Sequence, residues 1–249
     1  DGGFVLDSMP FVFHGGIYYA SNPDTVLTTK NLRILMQVPC WPDPQKLIKM
    51  VDRHVVAHEC FMKGFFGSDP CEVLTWDMCQ DIHHVAIADT VVKFGNEHSG
   101  EGKMLVLKGE EFKQWDGFAT LQPFFRGRSI RVLHLDSAVF FIETVNDSSW
   151  IKNSPGGENV LFDSKKVPSE MMDHSFKVRD HFGLDICGND YILSDDGSFH
   201  FLETNQFPGL GDDFLGDLPR KIFLERMRSL EKIVIRSSDV QRSEVLPAR

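Results

Sequence analysis

Alternation of apolar and polar residues with a period of two dominates the chain from about residue 89 onward, and helical spacing is limited to shorter stretches. The alternation and the apolar runs predict strands at 73–76, 89–94, 104–107, 119–125, 129–135, 138–144, 186–195 and 198–207. Apolar residues at helical spacing predict helices at 44–51, 52–64, 78–84, 110–115, 169–182 and 218–235. The pattern therefore predicts a mixture of strands and helices.

The beginning of the chain is less regular than the rest. Residues 1–30 predict short strands or an irregular lead-in, and the apolar-rich run 32–38 predicts a buried strand. Asp43 followed by Pro44 is a typical helix start, with Asp as the cap and Pro at the first helical position. Residues 146–163 are polar and contain Gly and Pro, which predicts a loop.

The two apolar-rich runs at 186–195 and 198–207 predict a β-hairpin. Asp196 and Gly197 lie between them and form a strong two-residue type I′ turn signal. That turn would place Asp190 directly opposite Glu203, with their Cβ atoms roughly 4.5–5.5 Å apart. Asn205 is two residues beyond Glu203 and would therefore point to the same face of the sheet.

Two opposed carboxylates repel each other, so a positive charge is expected between them. A Lys or Arg side chain could supply it, but Asn205 adds a third oxygen ligand. Such ligands suit a hard divalent cation, and magnesium completes its coordination with water and phosphate oxygens. The hairpin thus predicts a magnesium site for a nucleotide, and the alternative is an acidic hairpin exposed to solvent.

A glycine-bearing loop follows the strand that ends near Lys93. Gly100 and Gly102 would let backbone N–H groups approach a phosphate closely, while Ser99 adds a hydroxyl and Lys103 a second positive charge. The loop lacks the Walker A pattern. A flexible surface hairpin explains the same residues equally well.

Residues 121–125 combine apolar side chains with Pro123, which cannot donate to a sheet ladder. This segment could enclose a flat base and hydrogen-bond its edge, and plain core packing is the alternative. Arg128 and Arg131 are three apart on a strand and point to opposite faces, so one of them could reach a terminal phosphate. Lys152 and Asn153 could reach the same phosphates, although a solvated charge is the usual role of such residues.

The 249 residues carry a net charge of −10, which argues against broad binding to nucleic acid or to anionic membranes. No apolar run approaches the roughly 20 residues that span a bilayer, and no signal peptide is evident. The five cysteines show no metal-binding or paired spacing, which favours reduced thiols and a cytoplasmic location. Since the first residue is Asp1 rather than Met, we expect that an N-terminal piece precedes it.

Taken in order, these motifs resemble those of the ATP-grasp superfamily over about residues 45–215. The matching positions are Asp52-Arg53, Lys93, the loop 95–103, Gln122 to Phe125, Arg131, the set Asp190, Glu203 and Asn205, and Pro208-Gly209. The glycine loop is similar to that of the synapsin family. The complete Glu-x-Asn-x-x-Pro-Gly string is more similar to that of carboxylate–amine ligases.

The resemblance implies an α+β ATP-grasp fold, in which two α+β lobes hold ATP between them after a short N-terminal lead-in lobe. The implied division is a lead-in at 1–50, a small lobe with the glycine loop at 51–120, a large lobe with the metal hairpin at 121–240 and a frayed tail at 241–249. Gln122 stands where the family usually has an acidic residue, and the lobe before residue 45 is short. Both departures leave the substrate undefined.

The activity implied by the resemblance is an ATP-dependent ligase that joins a carboxylate to an amine through an acylphosphate. The alternatives are a small-molecule kinase of the same fold and a regulatory protein that binds ATP without turnover. A ligase would use Mg-ATP, with two magnesium ions, and a small-molecule or peptide carboxylate with an amine acceptor; nucleic acid and membrane are not expected as partners. The oligomeric state stays open, with a homodimer as one option.

The resemblance also assigns roles to individual residues. The implied catalytic residues are Arg131, Lys152 and Gly209. The implied metal ligands are Asp190, Glu203 and Asn205. The implied nucleotide-binding residues are Arg53, Lys93, Ser99, Gly100, Gly102, Lys103, Gln122, Pro123, Phe124, Phe125 and Asn153.

Overall fold

The structure is a computed structural model that describes residues 2–6, 9–13, 16–17, 25–37, 40–95, 102–151, 157–210 and 213–230. Contacts divide the chain into two compact units. One unit spans 52–208, and the other is formed by the segments on either side of it. The finer division predicted from the sequence stays a prediction.

The flanking unit contains short strands and helices. Strands β1 (Gly2–Leu6) and β2 (Met9–Phe13) pair antiparallel, and β3 (Gly16–Ile17) pairs in parallel with β4 (Cys40–Trp41). The helices are α1 (Thr25–Leu35), α2 (Pro44–Leu47), which continues into a short 3-10 turn (Ile48–Met50), and α6 (218–230). The aromatic ring of Phe223 in α6 packs edge-on against Trp41.

The strand predicted at 32–38 is wrong, because residues 32–35 belong to α1 and residues 36–37 to the turn after it, while Val38 lies outside the described residues. Thr28, Leu32 and Leu35 are buried and lie on one helical face, so the apolar run fits a helix as well as a strand. The helix start at Asp43 is confirmed, since its carboxylate accepts a hydrogen bond from the backbone N–H of Gln45.

The 52–208 unit begins with α3 (Arg53–Met62), which Asp52 caps by accepting from two backbone N–H groups. A four-stranded antiparallel sheet follows, made of β5 (Glu72–Thr75), β6 (Thr90–Phe94), β7 (Lys103–Val106) and β8 (Phe118–Pro123) in the order β5-β8-β6-β7. Helix α4 (Trp76–Ile82) packs with its core.

The helix predicted at 110–115 is wrong. Glu111 instead forms a β-bridge with Val85, and the side chains of Phe112 and Trp115 are buried in the core of this sheet. A backbone without helical structure therefore buries the aromatic residues that had suggested helical spacing.

A five-stranded antiparallel sheet forms the rest of the unit. Its strands are β9 (Arg128–Leu135), β10 (Ala138–Val145), β11 (Glu158–Leu161), β12 (Ile186–Leu193) and β13 (Phe199–Asn205), in the order β11-β10-β9-β12-β13. The prediction of a loop throughout 146–163 is wrong for β11, which pairs with β10 despite its polar sequence.

Helix α5 (Ser169–Phe182) covers one face of the five-stranded sheet, and its predicted bounds are confirmed. The helix ends at Gly183, whose φ of 67° is a left-handed conformation that glycine adopts without strain. Along β9, Ile130 and Val132 are buried, whereas Arg131 between them points to the opposite face. This alternation buries Ile130 and Val132 in the core and leaves Arg131 on the face that borders the cavity.

The hairpin of β12 and β13 forms, but its predicted two-residue turn is wrong. Ser194 accepts a hydrogen bond from the N–H of Gly197 and donates its own N–H to Ser198, so the loop has three residues. Three-residue hairpin loops of this kind place a left-handed residue last, and Gly197 has a φ of 85°.

An irregularity further along the hairpin compensates for the longer loop. The register shifts by one residue between Asp190 and Tyr191, which leaves Leu202 as the extra residue of β13. Asp190 thereby pairs with Glu203, as predicted. A bulge of this kind reverses the facing of the residues beyond it, so Phe201 packs against Tyr191 while Glu203 points away from that core.

The described residues contain no helix that is long and apolar enough to cross a membrane. All five cysteines are free thiols, and burial raises the pKa of the Cys71 thiol to about 11.

A hydrogen-bonded polar cluster lies between α5 and the sheet. The Nε2 of His134 lies 2.8 Å from the Ser175 hydroxyl, and Asn189 donates to the same serine. The side chain of His134 is fully buried, and burial lowers its pKa from 6.5 to about 4. The folded protein therefore holds this imidazole in its neutral form at physiological pH.

Because His134 is buried in its neutral form, we expect the protein to lose stability in mild acid. The unfolded chain binds the proton at pH 6.5 and the folded chain only near pH 4, so stability falls as the pH is lowered through that interval. Across that whole interval, His134 lowers the free energy of unfolding by about 3 kcal/mol. We expect urea unfolding of His134→Gln to show a smaller loss between pH 7 and pH 4 than the wild type. The exposed His84→Gln control should keep the wild-type slope, and an equal slope in both variants would contradict the prediction.

Candidate nucleotide and metal site

A cavity of about 290 Å³ lies within the 52–208 unit, between the four-stranded and five-stranded sheets. One part of its wall is charged and the other is apolar. The charged residues are Lys93, Lys103, Arg126, Arg131, Asp190 and Glu203, and the guanidinium of Arg126 lies over the ring of Phe124. The apolar residues include Val91, Pro123, Phe124, Phe125, Trp150, Ile151, Ile192 and Leu202. The cavity thus has two chemically different ends.

Lys93 and Glu203 form an ion pair at the charged end. Lys93 lies on β6 and is only 5% exposed, and its Nζ donates to Glu203 Oε2 at 3.1 Å. Lys103 is the residue opposite Lys93 on β7. Burial of a lysine requires an anionic partner, and the five-stranded sheet provides it.

The charges around Glu203 keep it ionised. Burial by itself would raise the pKa of Glu203, but the positive charges of Lys93, Lys103 and Arg53 hold it well below 4.5. Burial lowers the pKa of Lys103, while the Glu203 carboxylate partly opposes that effect. Arg53, the first residue of α3, therefore contributes its charge to the same cluster.

Arg131 and Asp190 form the second ion pair, from neighbouring strands. They are directly paired residues of β9 and β12, and the guanidinium donates to both carboxylate oxygens at 2.7 and 2.9 Å. Gly188 leaves room for this arginine, since a Cβ at that position would lie 3.0 Å from the Arg131 Cδ. Arg128 points the other way and pairs with Glu143, as expected from the strand period.

Asn205 joins the two acids. Its Nδ2 lies 3.1 Å from Asp190 Oδ2 and 3.5 Å from Glu203 Oε1, so three side chains converge on one point. A half-turn of the amide would place its oxygen there, next to two carboxylate oxygens. This donor set fits a magnesium ion that takes its remaining ligands from water and phosphate. The described residues contain no cluster of three His, Cys, Asp or Glu side chains that could hold a metal by themselves.

The extra residue Leu202 contributes its carbonyl to the site. A residue at a bulge leaves the sheet ladder, and this carbonyl accepts from Lys93 Nζ at 3.4 Å and from Gln122 Nε2 at 3.2 Å. Gln122 is 4% exposed and also donates to Cys71 Sγ at 3.7 Å. The side-chain amide of Gln122 therefore hydrogen-bonds the four-stranded sheet to the five-stranded sheet.

The sequence interpretation missed two aromatic residues that contact the phenylalanines of the apolar end, namely Trp150, which lines the cavity, and His200. Phe125 stacks on the ring of His200 with centroids 3.8 Å apart and an angle of 7°, and Asp69 lies 2.8 Å from His200 Nδ1. Trp150 packs edge-on against Phe124. A tryptophan inside an otherwise polar segment was the available signal for Trp150, whereas His200 carried no signal in the sequence.

The remaining predicted residues are placed as follows. Gly102 has a φ of 63°, and its carbonyl accepts from the N–H of Phe94. Gly209 is the first residue of the flanking unit after 52–208. Four predicted residues lie outside the described part of the chain, namely Ser99, Gly100, Lys152 and Asn153.

Comparison with solved structures shows the fold. The chain superposes on the D-alanine–D-alanine ligase from Coxiella burnetii with a TM-score of 0.60 and 14% identity, covering 96% of this chain and 74% of that one. It superposes on the ATP-grasp ligase PsnB, complexed with a minimal precursor, with a TM-score of 0.53, 14% identity, and coverage of 81% and 69%. The structure of the ADP complex of PurK, N5-carboxyaminoimidazole ribonucleotide synthetase, gives a TM-score of 0.58 at 12% identity, covering 81% and 56%.

These similarities show that the chain has the α+β ATP-grasp fold, as the sequence resemblance implied. No protein-family model matches the chain, and a search of curated proteins finds no match. At 11–15% identity the solved structures establish the fold and leave the chemistry to be argued from the site.

Proposed function

We propose that this chain binds Mg-ATP in the cavity of the 52–208 unit and acts as an ATP-dependent ligase, joining a carboxylate to an amine through an acylphosphate. The observation that carries this proposal is the cavity itself, which places an apolar, aromatic wall beside a cluster of cations and paired acids. A nucleoside triphosphate has the same two-ended character, with a flat base and a polyanion.

The apolar end suits the base. Val91 from one sheet and Ile192 and Leu202 from the other line opposite walls, so a flat ring inserted between them would be desolvated on both faces. Residues 122–125 form the end of β8 and the beginning of its connection to β9, and they border the same space. Their backbone would contact the edge of the ring.

The charged end suits the phosphates. Lys93, Lys103 and Arg131 would hold phosphate oxygens and stabilise the charge that develops as the terminal phosphate is transferred. Asp190, Glu203 and Asn205 would hold magnesium, and two ions would complete the proposed cofactor set. When bound, magnesium neutralises phosphate charge. The loop 95–103, with Ser99, Gly100 and Gly102, would cover the phosphates.

The proposed reaction begins when a substrate carboxylate attacks the γ-phosphate, which forms an acylphosphate and releases ADP. An amine then attacks the acyl carbon, and inorganic phosphate leaves. A carboxylate needs no general base for the first step, because it is already ionised. Lys152 and Asn153 would contact phosphate, and the backbone around Gly209 would bind the substrate carboxylate. Support for this chemistry comes from the solved structures, which are described as ATP-grasp ligases and D-alanine–D-alanine ligases.

The test measures the products that the protein forms from ATP. The protein is incubated with Mg-ATP and mixtures of carboxylates and amines, including amino acids and short peptides, and ADP and free phosphate are measured. Release of both products that requires a carboxylate and an amine together supports the ligase. ADP without free phosphate would instead indicate a kinase. Tight ATP binding without ADP would indicate a regulatory protein, and absence of ATP binding would refute the proposal.

The stacked pair at the apolar end gives a further prediction. His200 holds the Phe125 ring in place, so His200→Ala should raise the KM for ATP several-fold and leave kcat nearly unchanged. His200→Phe keeps a stacking surface and should restore most of the affinity. Steady-state kinetics at varied ATP would check both variants. A fall in kcat at constant KM would show that His200 does not act through the base-binding wall.

A further inference from the structure

Each carboxylate of the candidate metal site already has a cationic partner from the chain itself. Arg131 occupies both oxygens of Asp190 in a bidentate pair, and Lys93 occupies Oε2 of Glu203. These two cations also line the phosphate end of the cavity. The same side chains therefore face two competing anions, the carboxylates of the site and the phosphates of an incoming nucleotide.

We propose that Arg131 and Lys93 act as built-in counter-ions that keep divalent cations out of the site until a nucleotide arrives. This inference rests on the proposed function. A metal ion approaching Asp190 must displace a guanidinium that is bound through two charge-assisted hydrogen bonds. The displaced guanidinium would then lie beside the metal and lose its bidentate pair with Asp190. Nucleotide phosphates provide a new anionic partner, so the exchange becomes favourable only when they are present.

The two cations contribute unequally. Arg131 engages both oxygens of Asp190, whereas Lys93 engages one oxygen of Glu203 and leaves Oε1 facing Asn205. Lys103 and Arg53 also neutralise Glu203, so loss of Lys93 is partly compensated. Arg131 is thus the main barrier to metal binding, and its removal should convert the nucleotide-dependent site into a metal site that fills by itself.

The test measures Mn²⁺ binding without nucleotide by electron paramagnetic resonance of the free ion. We expect weak binding to the wild type and at least about tenfold tighter binding to Arg131→Gln, the effect of about one charge-assisted hydrogen bond. Arg131→Lys retains the charge and should remain close to the wild type. The matched control is Arg128→Gln, which breaks a similar bidentate pair with Glu143 on the other face of the same strand and should not change Mn²⁺ affinity.

Two results would overturn the inference. One is tight Mn²⁺ binding by the wild type without nucleotide, and the other is Arg131→Gln binding Mn²⁺ no better than the wild type while its circular dichroism shows an intact fold. A parallel titration of the wild type with a fluorescent ATP analogue and Mg²⁺ separates this failure from failure of the proposed function. If the analogue binds, only the counter-ion inference is lost; if it does not bind, the nucleotide site and the inference built on it are both refuted.

Discussion

Glu203→Gln should reduce ATP turnover by at least about a hundredfold. Mutation of residues that only hydrogen-bond a metal ligand already lowers metal affinity or activity by about 10–100-fold, and Glu203 is itself a proposed ligand. The substitution keeps the shape of the side chain and removes its charge, and that charge is the one that Lys93 contacts at 3.1 Å. Turnover is measured as ADP release under saturating Mg-ATP. A variant that retains half of the wild-type rate would refute the metal assignment.

The same substitution should also lower stability, since it leaves buried Lys93 near Lys103 and Arg53 without its anionic partner. Breaking such a pair costs about 3–5 kcal/mol. The pKa of Glu203 is depressed in the folded state, so its stabilising charge is present above pH 4.5 and is lost as the pH falls below that value. Glu203→Gln should therefore show a weaker acid dependence of stability. Glu143→Gln, which breaks the Arg128 pair on the opposite face, serves as the control and should keep normal turnover.

Lys93→Met should weaken binding of Mg-ATP about 10–100-fold, the effect expected when a charged hydrogen-bond donor to a phosphate is lost. Methionine preserves the buried aliphatic stem of this side chain, so the change isolates the ammonium group. Calorimetry with a non-hydrolysable ATP analogue and Mg²⁺ measures the dissociation constant. Lys108→Met removes an exposed lysine of the same sheet region and is the matched control. An unchanged dissociation constant for Lys93→Met would remove this lysine from the nucleotide site.

Local chemistry made part of the fold predictable from the sequence. The cap at Asp43 and the helix end at Gly183 follow from backbone N–H and φ requirements that act within a few residues. The run 32–38 was assigned to the wrong kind of element because a short apolar segment buries its side chains in either a helix or a strand.

The candidate site was predictable only in part, for a physical reason. Strand period correctly separated the facing of Arg128 from that of Arg131. The Lys93–Glu203 pair and the Phe125–His200 stack join residues far apart in the chain, and their contacts depend on how two sheets pack. No local pattern encodes that packing, so the sequence predicted a positive charge between the acids but did not identify Lys93 and Arg131 as the side chains that supply it.

The hairpin that carries both acids separates the length of its tip from the facing of its carboxylates. Residues 195–197 at the tip are exposed, and hairpin loops of two to five residues are common, so the loop can absorb a single insertion or deletion there. The bulge at Leu202 instead puts Phe201 and Glu203 on opposite faces of the sheet. Hairpins that carry the same two acids are therefore expected to differ in tip length while both carboxylates keep facing the cavity.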